Sequence, residues 1–168
     1  MRCKLQLATA RDVADLLSLH TAVNERLIAQ YGNGFWVSRL TEKSALFAMR
    51  NSSVYIARSE GRLIATLTLA TKKPWAINEN ARKYFASSKR PLYLTAMAVH
   101  PDVQRLGIGR LCLEEARRIA VEWPCDAIRL DAYDTEAGAG EFYRKCGFRE
   151  VGRAAYRGTP LIYYEMLL

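Results

Sequence analysis

The sequence predicts an α/β fold, a mixed sheet covered by helices. Two observations predict it. Apolar residues at helical spacing alternate along the chain with short apolar or alternating runs of strand length. The resulting order is strand, two helices, three strands, helix, strand, helix, two strands. The chain has 168 residues, half of them hydrophobic and a quarter charged, which suits one domain with a single sizeable core.

Residues 3–8 read as the first strand, beginning at Cys3. Thr9 then stands as an N-cap, with Asp12 three residues later in a capping-box position. Val13, Leu16, Leu17, Leu19, Val23 and Leu27 supply a helical stripe that ends near Tyr31-Gly32. Thr41 caps a second helix carrying Ala45, Leu46 and Met49. Residues 53–59 and 62–71 read as a hairpin turning at Glu60-Gly61. In its second arm Leu63, Ala65, Leu67 and Leu69 share one face. Residues 72–90 form a long connection with a short helix over 78–87, and long connections in compact domains are often functional.

The second half is more regular. Residues 92–99 read as a strand, broken by His100-Pro101-Asp102. From Gly107 a helix carries Ile108, Leu111, Cys112, Ala116, Ile119, Ala120 and Trp123 on one side. Residues 127–132 read as a buried strand. Residues 136–146 read as a helix stopped by Gly147. Residues 148–155 and 161–168 read as two closing strands.

The formal net charge is +8. Such a surplus favours an anionic partner. The basic residues are scattered, however, in short pairs such as Lys72-Lys73, Lys89-Arg90 and Arg117-Arg118, as on a solvated basic surface. There is neither a concentrated basic stripe nor a nucleic-acid motif, so no nucleic-acid partner is expected. Cys3, Cys112, Cys125 and Cys146 show no metal-ligand spacing, and only His20 and His100 are available to complete a site, so no metal is expected. The N-terminus lacks an apolar signal-peptide core, and no apolar stretch approaches the roughly 20 residues needed to span a bilayer. A cytoplasmic protein with reduced thiols and no membrane partner is the expectation.

The most informative segment is Gln104-Arg105-Leu106-Gly107-Ile108-Gly109-Arg110, between a strand and a helix. A helix N-terminus offers unpaired N–H groups and partial positive charge. Glycines let the backbone approach an anion closely. Arg105 and Arg110 add full charges, and a pyrophosphate is the natural ligand. The segment has neither the Gly-Lys-Ser/Thr ending of a nucleotide P-loop nor the three-glycine spacing of a dinucleotide fingerprint.

The run from Met97 through Val99, His100-Pro101 and Gln104 to Gly107-Ile108-Gly109 resembles motif A of the GCN5-related N-acetyltransferases (GNAT). Phe142-Tyr143-Arg144-Lys145-Cys146-Gly147-Phe148 resembles that family's Tyr-x-x-x-Gly-Phe ending. The element order is similar over nearly the whole chain. The resemblance implies one acetyltransferase domain over residues 1–168, with a mostly antiparallel central sheet, that uses acetyl-CoA to acetylate an amine. Cradling of the coenzyme A pyrophosphate would fall on Arg105, Leu106, Gly107, Ile108, Gly109 and Arg110, with Gln104 opening the turn. Met97, Ala98 and Val99 would meet the pantetheine arm through their backbone. A bulge at Ala98 or Val99 would free an N–H to polarise the thioester carbonyl. Tyr143 would protonate the departing thiolate, and Ala139 and Phe142 would line the thioester arm.

Two departures stand out. Glu136 occupies the place of an asparagine found in many relatives. Tyr93 stands where some relatives carry a glutamate base, which leaves no carboxylate base identifiable. His100 fits a structural role in the turn, His20 a surface or core role, and Cys112 an inert buried one. Tyr31, Phe35, Trp36, Trp75, Tyr84 and Phe85 either wall an amine acceptor by cation–π contact or belong to the core. The acceptor would be a small-molecule or peptide amine, and a homodimer is compatible with the sequence. The alternative function is an acyl-CoA sensor or scaffold without catalysis.

Overall fold

The computed structural model describes residues 4–168. Seven strands form one sheet in the order β1-β2-β3-β4-β5-β7-β6. The strands are β1 (Gln6–Leu7), β2 (Ser53–Ser59), β3 (Arg62–Ala70), β4 (Pro91–Val99), β5 (Ala127–Tyr133), β6 (Arg149–Tyr156) and β7 (Thr159–Leu167). The helices are α1 (Val13–Tyr31), α2 (Glu42–Asn51), α3 (Glu79–Arg82), α4 (Ile108–Glu122) and α5 (Gly140–Lys145). β4 runs parallel to β5, while β1–β2, β2–β3, β5–β7 and β6–β7 are antiparallel. The mixed, mostly antiparallel sheet and the order of the main elements agree with the sequence. The expected strand start at Cys3 lies outside the described residues.

The chain divides into two compact units, one of residues up to Ala70 with Ala96–Ala116, the other of Thr71–Thr95 with Arg117–Leu168. In the first unit, Leu16 and Leu19 of α1 pack with Val54, Ile56, Leu63 and Ala98. Thr9 and Asp12 do form a capping box, but it closes a single 3-10 turn that leads into α1. Asp12 also joins Asp15 in gripping Arg58 of β2, each at 2.7 Å. Thr41 caps α2 as expected, its hydroxyl accepting from the Ser44 N–H.

In the second unit, Ile77, Ala81 and Phe85 of the long connection cover Tyr93, Leu161 and Tyr163. Only Glu79–Arg82 is α-helical there, against an expected helix over 78–87. The rest of the connection is fixed by polar clasps instead. Asp126 accepts from the Ser88 hydroxyl and from the N–H groups of Lys89 and Arg90. The helix expected from Glu136 begins only at Gly140. Residues 135–138 make a turn, Gly138 N–H donating to the Thr135 carbonyl. A Cβ on Gly138 would stand 1.9 Å from the Tyr133 carbonyl oxygen, so this close approach requires glycine.

Candidate active site

The glycine turn is held from both sides within its unit. His100 N–H donates to the Ile64 carbonyl at 2.8 Å, which fixes the end of β4 against β3. The His100 side chain accepts from the Asp102 N–H, and Arg62 reaches both residues, so His100 shapes the 3-10 turn Pro101–Val103. Gln104 Nε2 donates to the Val99 carbonyl at 2.9 Å and ties the turn back to the strand it leaves. Arg105 and Gly107 both have positive φ, 63° and 83°. Alternating backbone handedness of this kind aims successive N–H groups at one point, a concavity suited to an anion. Gln104, Arg105, Leu106, Gly107 and Arg110 are exposed, whereas Ile108 is buried. The side chains of Ala98 and Ile108 are core, so those two positions can serve a ligand only through their backbone.

In the other unit, Tyr143 of α5 is buried between Phe142, Phe148 and Tyr164, with ring centroids 5.3, 5.7 and 6.0 Å away. Burial pushes its phenol pKa far up, with a further push from the charge of Asp131. It therefore keeps its proton at any physiological pH. Asp131 itself lies on β5, two residues beyond the last β4–β5 pair, Tyr93 with Arg129. Burial raises its carboxyl from 3.8 to about 6, and no ion pair among the described residues offsets this. Nothing in the local sequence singles out Asp131, which sits in an apolar run. The one exception is the alternation Arg129, Asp131, Tyr133, which places two charges on one face of a strand otherwise built for burial.

The family model for the acetyltransferase (GNAT) family matches residues 15–148, most of the chain. The chain belongs to the GNAT family. A GNAT-family acetyltransferase from Listeria monocytogenes shares its fold with TM-score 0.75 at 16% identity, over 99% of this chain and 95% of that one. A PaiA N-acetyltransferase from Thermoplasma acidophilum, solved with coenzyme A, gives TM-score 0.71 at 15% identity over 97% and 98%. The ribosomal-protein-alanine N-acetyltransferase from Brucella melitensis gives TM-score 0.70 at 19% identity over 98% and 99%. A search of curated protein sequences finds no match.

The positions named from the GNAT resemblance fall as follows. Ala96 of β4 has a left-handed backbone, φ 49°, two residues before Ala98. Alternation cannot register such a break, because the small Ala96, exposed here, and the buried Ala98 look alike in sequence. Ala139 is the exposed N-cap of α5, and its carbonyl accepts from the Tyr143 N–H at 3.1 Å in the first turn, which also carries Phe142. Glu136 is exposed in the preceding turn. Tyr93 is buried beside Tyr163 in the second unit's core. Among the acceptor-side aromatics, Phe85 is core and Tyr84 stacks on Tyr163 at 5.9 Å, while Trp75 is 84% exposed and Phe35 packs edge-on to Trp36. Cys112 is fully buried, and burial lowers the pKa of His20. A hollow of about 460 Å³ beside α2, lined by Thr41, Lys43, Leu46 and Arg50, contains none of these residues.

The exposed turn fits a phosphorylated cofactor. A Cβ at Gly107 would meet no heavy atom within 4 Å, so space stands open above the helix start. No described helix is long and apolar enough to cross a membrane.

Proposed function

We propose that the chain is an acetyl-CoA-dependent N-acetyltransferase that moves an acetyl group directly to a primary amine of a small molecule, amino acid or peptide, within one domain. The observation that carries this is the turn before α4, whose left-handed Arg105 and Gly107 face solvent at a helix N-terminus. The backbone of Arg105 through Arg110 holds the pyrophosphate, and the guanidinium of Arg105 adds charge. Met97, Ala98 and Val99 present backbone groups to the pantetheine arm, and Phe142 lines it, with Ala139 at the helix entry. Acetyl-CoA supplies an activated thioester. Tyr143 holds a proton for the leaving sulfur, and the burial that raises its pKa keeps that proton on the phenol at neutral pH.

The test has two arms. Coenzyme A binding is measured by calorimetry, and thiol release from acetyl-CoA is followed across a panel of primary amines. Gly107→Glu is expected to abolish binding, because it strains a left-handed position and sets a carboxylate against the pyrophosphate. Unchanged affinity in the folded variant would remove the turn from the site. Binding without thiol release on any amine would replace transfer with acyl-CoA sensing.

A further inference from the structure

β5 and β7 pair without a bulge from Ala127 to Tyr133, so the face each residue occupies is fixed. On one face lie Arg129, Asp131 and Tyr133, opposite Glu165, Tyr163 and Leu161. Arg129 and Glu165 satisfy one another at 3.0 Å. Asp131 lies between that pair and Tyr133, directly across from Tyr163. The Tyr163 hydroxyl is already committed to the Ala76 carbonyl at 2.9 Å, and its ring is stacked on Tyr84. Asp131 thus has tyrosines beside and across from it, and among the described residues no cation forms an ion pair with it. It differs from Glu165 in one more respect. Glu165 is sealed, while Asp131 retains solvent access. The ladder between β4 and β5 ends at Tyr93 and Arg129, just before it.

A half-buried carboxylate among tyrosines, with an open side and no built-in counter-ion, has the chemistry of an ammonium site. The carboxylate supplies the charge and the partly exposed Tyr133 supplies an aromatic face. We propose that Asp131 is the base of the transfer, taking the ammonium proton of a small, singly charged primary amine seated beside Tyr133. This rests on the acetyltransferase function above. One ammonium proton passes to Asp131 and from there to solvent. The neutral nitrogen forms the C–N bond as the C–S bond breaks. The sulfur takes the Tyr143 proton, and the second nitrogen proton restores Tyr143. The sum is one amide, one thiol and one released proton. A single carboxylate matches a single ammonium, and a chain of net charge +8 does not favour a polycation.

The ionisable groups around Asp131 are Arg129 and Tyr133 on its own strand, Tyr163 and Glu165 on β7, Tyr93 on β4 and Tyr143 on α5. Arg129 and Glu165 are paired with each other, and phenols ordinarily titrate near 10, so an acid limb near 6 belongs to Asp131.

The test measures kcat/KM against pH for wild type, Asp131→Asn and Asp131→Glu, with acetyl-CoA and phenethylamine, putrescine or an alanyl peptide as acceptors. Wild type is expected to lose activity on the acid side with a midpoint of about 6. Asp131→Asn is expected to fall by about 10²-fold and lose that limb. Asp131→Glu is expected to keep a limb, and coenzyme A affinity to stay level in all three. A wild-type profile with no acid limb, or an Asp131→Asn variant with wild-type rate and profile, overturns the role of Asp131 alone. A wild type that binds coenzyme A and acetylates none of the amines overturns the transfer reading and this inference together.

Discussion

Two neighbouring loci on one face of β5 and β7 have been treated oppositely. At Arg129 and Glu165, the guanidinium meets the carboxylate at 3.0 Å and also donates to the Ala86 carbonyl. Glu165 returns to the Ala86 N–H at 3.2 Å. Both ends of one peptide residue in the long connection are thereby gripped by a buried ion pair. Two residue pairs along, on the same face, Asp131 has Tyr163 opposite it. The first locus spends its charges on holding the chain in place. The second leaves a charge uncompensated where the β4–β5 ladder stops. A half-buried carboxylate without a partner costs stability, and such a cost is commonly retained where chemistry uses it.

The largest effect should come from making the two loci alike. Arg129→Ala leaves Glu165 only the longer contact to Arg149, at 3.8 Å, and frees the Ala86 carbonyl. Urea unfolding should show a loss of about 3–5 kcal/mol. A loss below about 1 kcal/mol would show that the pair is not the clasp described. Next is Tyr143→Phe, the phenol whose pKa Asp131 helps raise. Its turnover should fall by about 10²-fold with coenzyme A affinity intact. An unchanged rate would end the general-acid role.

Asp131→Asn should act in the other direction on stability. The folded-state pKa of Asp131 is raised, from 3.8 to about 6. The folded protein therefore binds the proton more tightly than the unfolded chain between those values, and stability falls as pH rises through that window. The penalty is complete above about 6 and absent below 3.8. The variant should thus exceed wild type by about 1–3 kcal/mol in mildly alkaline buffer, with the gap closing as pH falls toward 4. Thermal melts at both ends of that range read it directly, and a gap independent of pH would contradict it. The smallest effect is Tyr163→Phe, which releases the Ala76 carbonyl. It should cost about 1 kcal/mol by denaturant midpoint and leave the acid limb in place.

What could be read from the sequence follows the same division. Elements with a strong period were legible. The β2–β3 hairpin and α4 fall within a residue or two of expectation, and α1 differs by the 3-10 turn that precedes it, because apolar faces at one period admit few alternatives. The glycine turn was legible because glycine, proline and charge occur there together. Elements set by polar clasps were not. The connection over residues 72–90 is fixed by Asp126, Arg129 and Glu165, all distant in sequence. Glu136 and Ala137 suit a helix, yet α5 starts only at Gly140, because the tight approach of Gly138 to the Tyr133 carbonyl holds 135–138 in a turn. Asp131 was hidden for a similar reason. Its character comes from what does not face it.

The hydrogen bond from Gln104 to the Val99 carbonyl has a thermodynamic consequence. A turn tethered by its own side chain has already lost its conformational freedom when the protein folds. An anion arriving there meets fixed donors, so little further ordering entropy is charged to the binding step. Gln104→Ala would move that entropic cost from folding to binding, and calorimetry would register it as a less favourable binding entropy at nearly unchanged enthalpy.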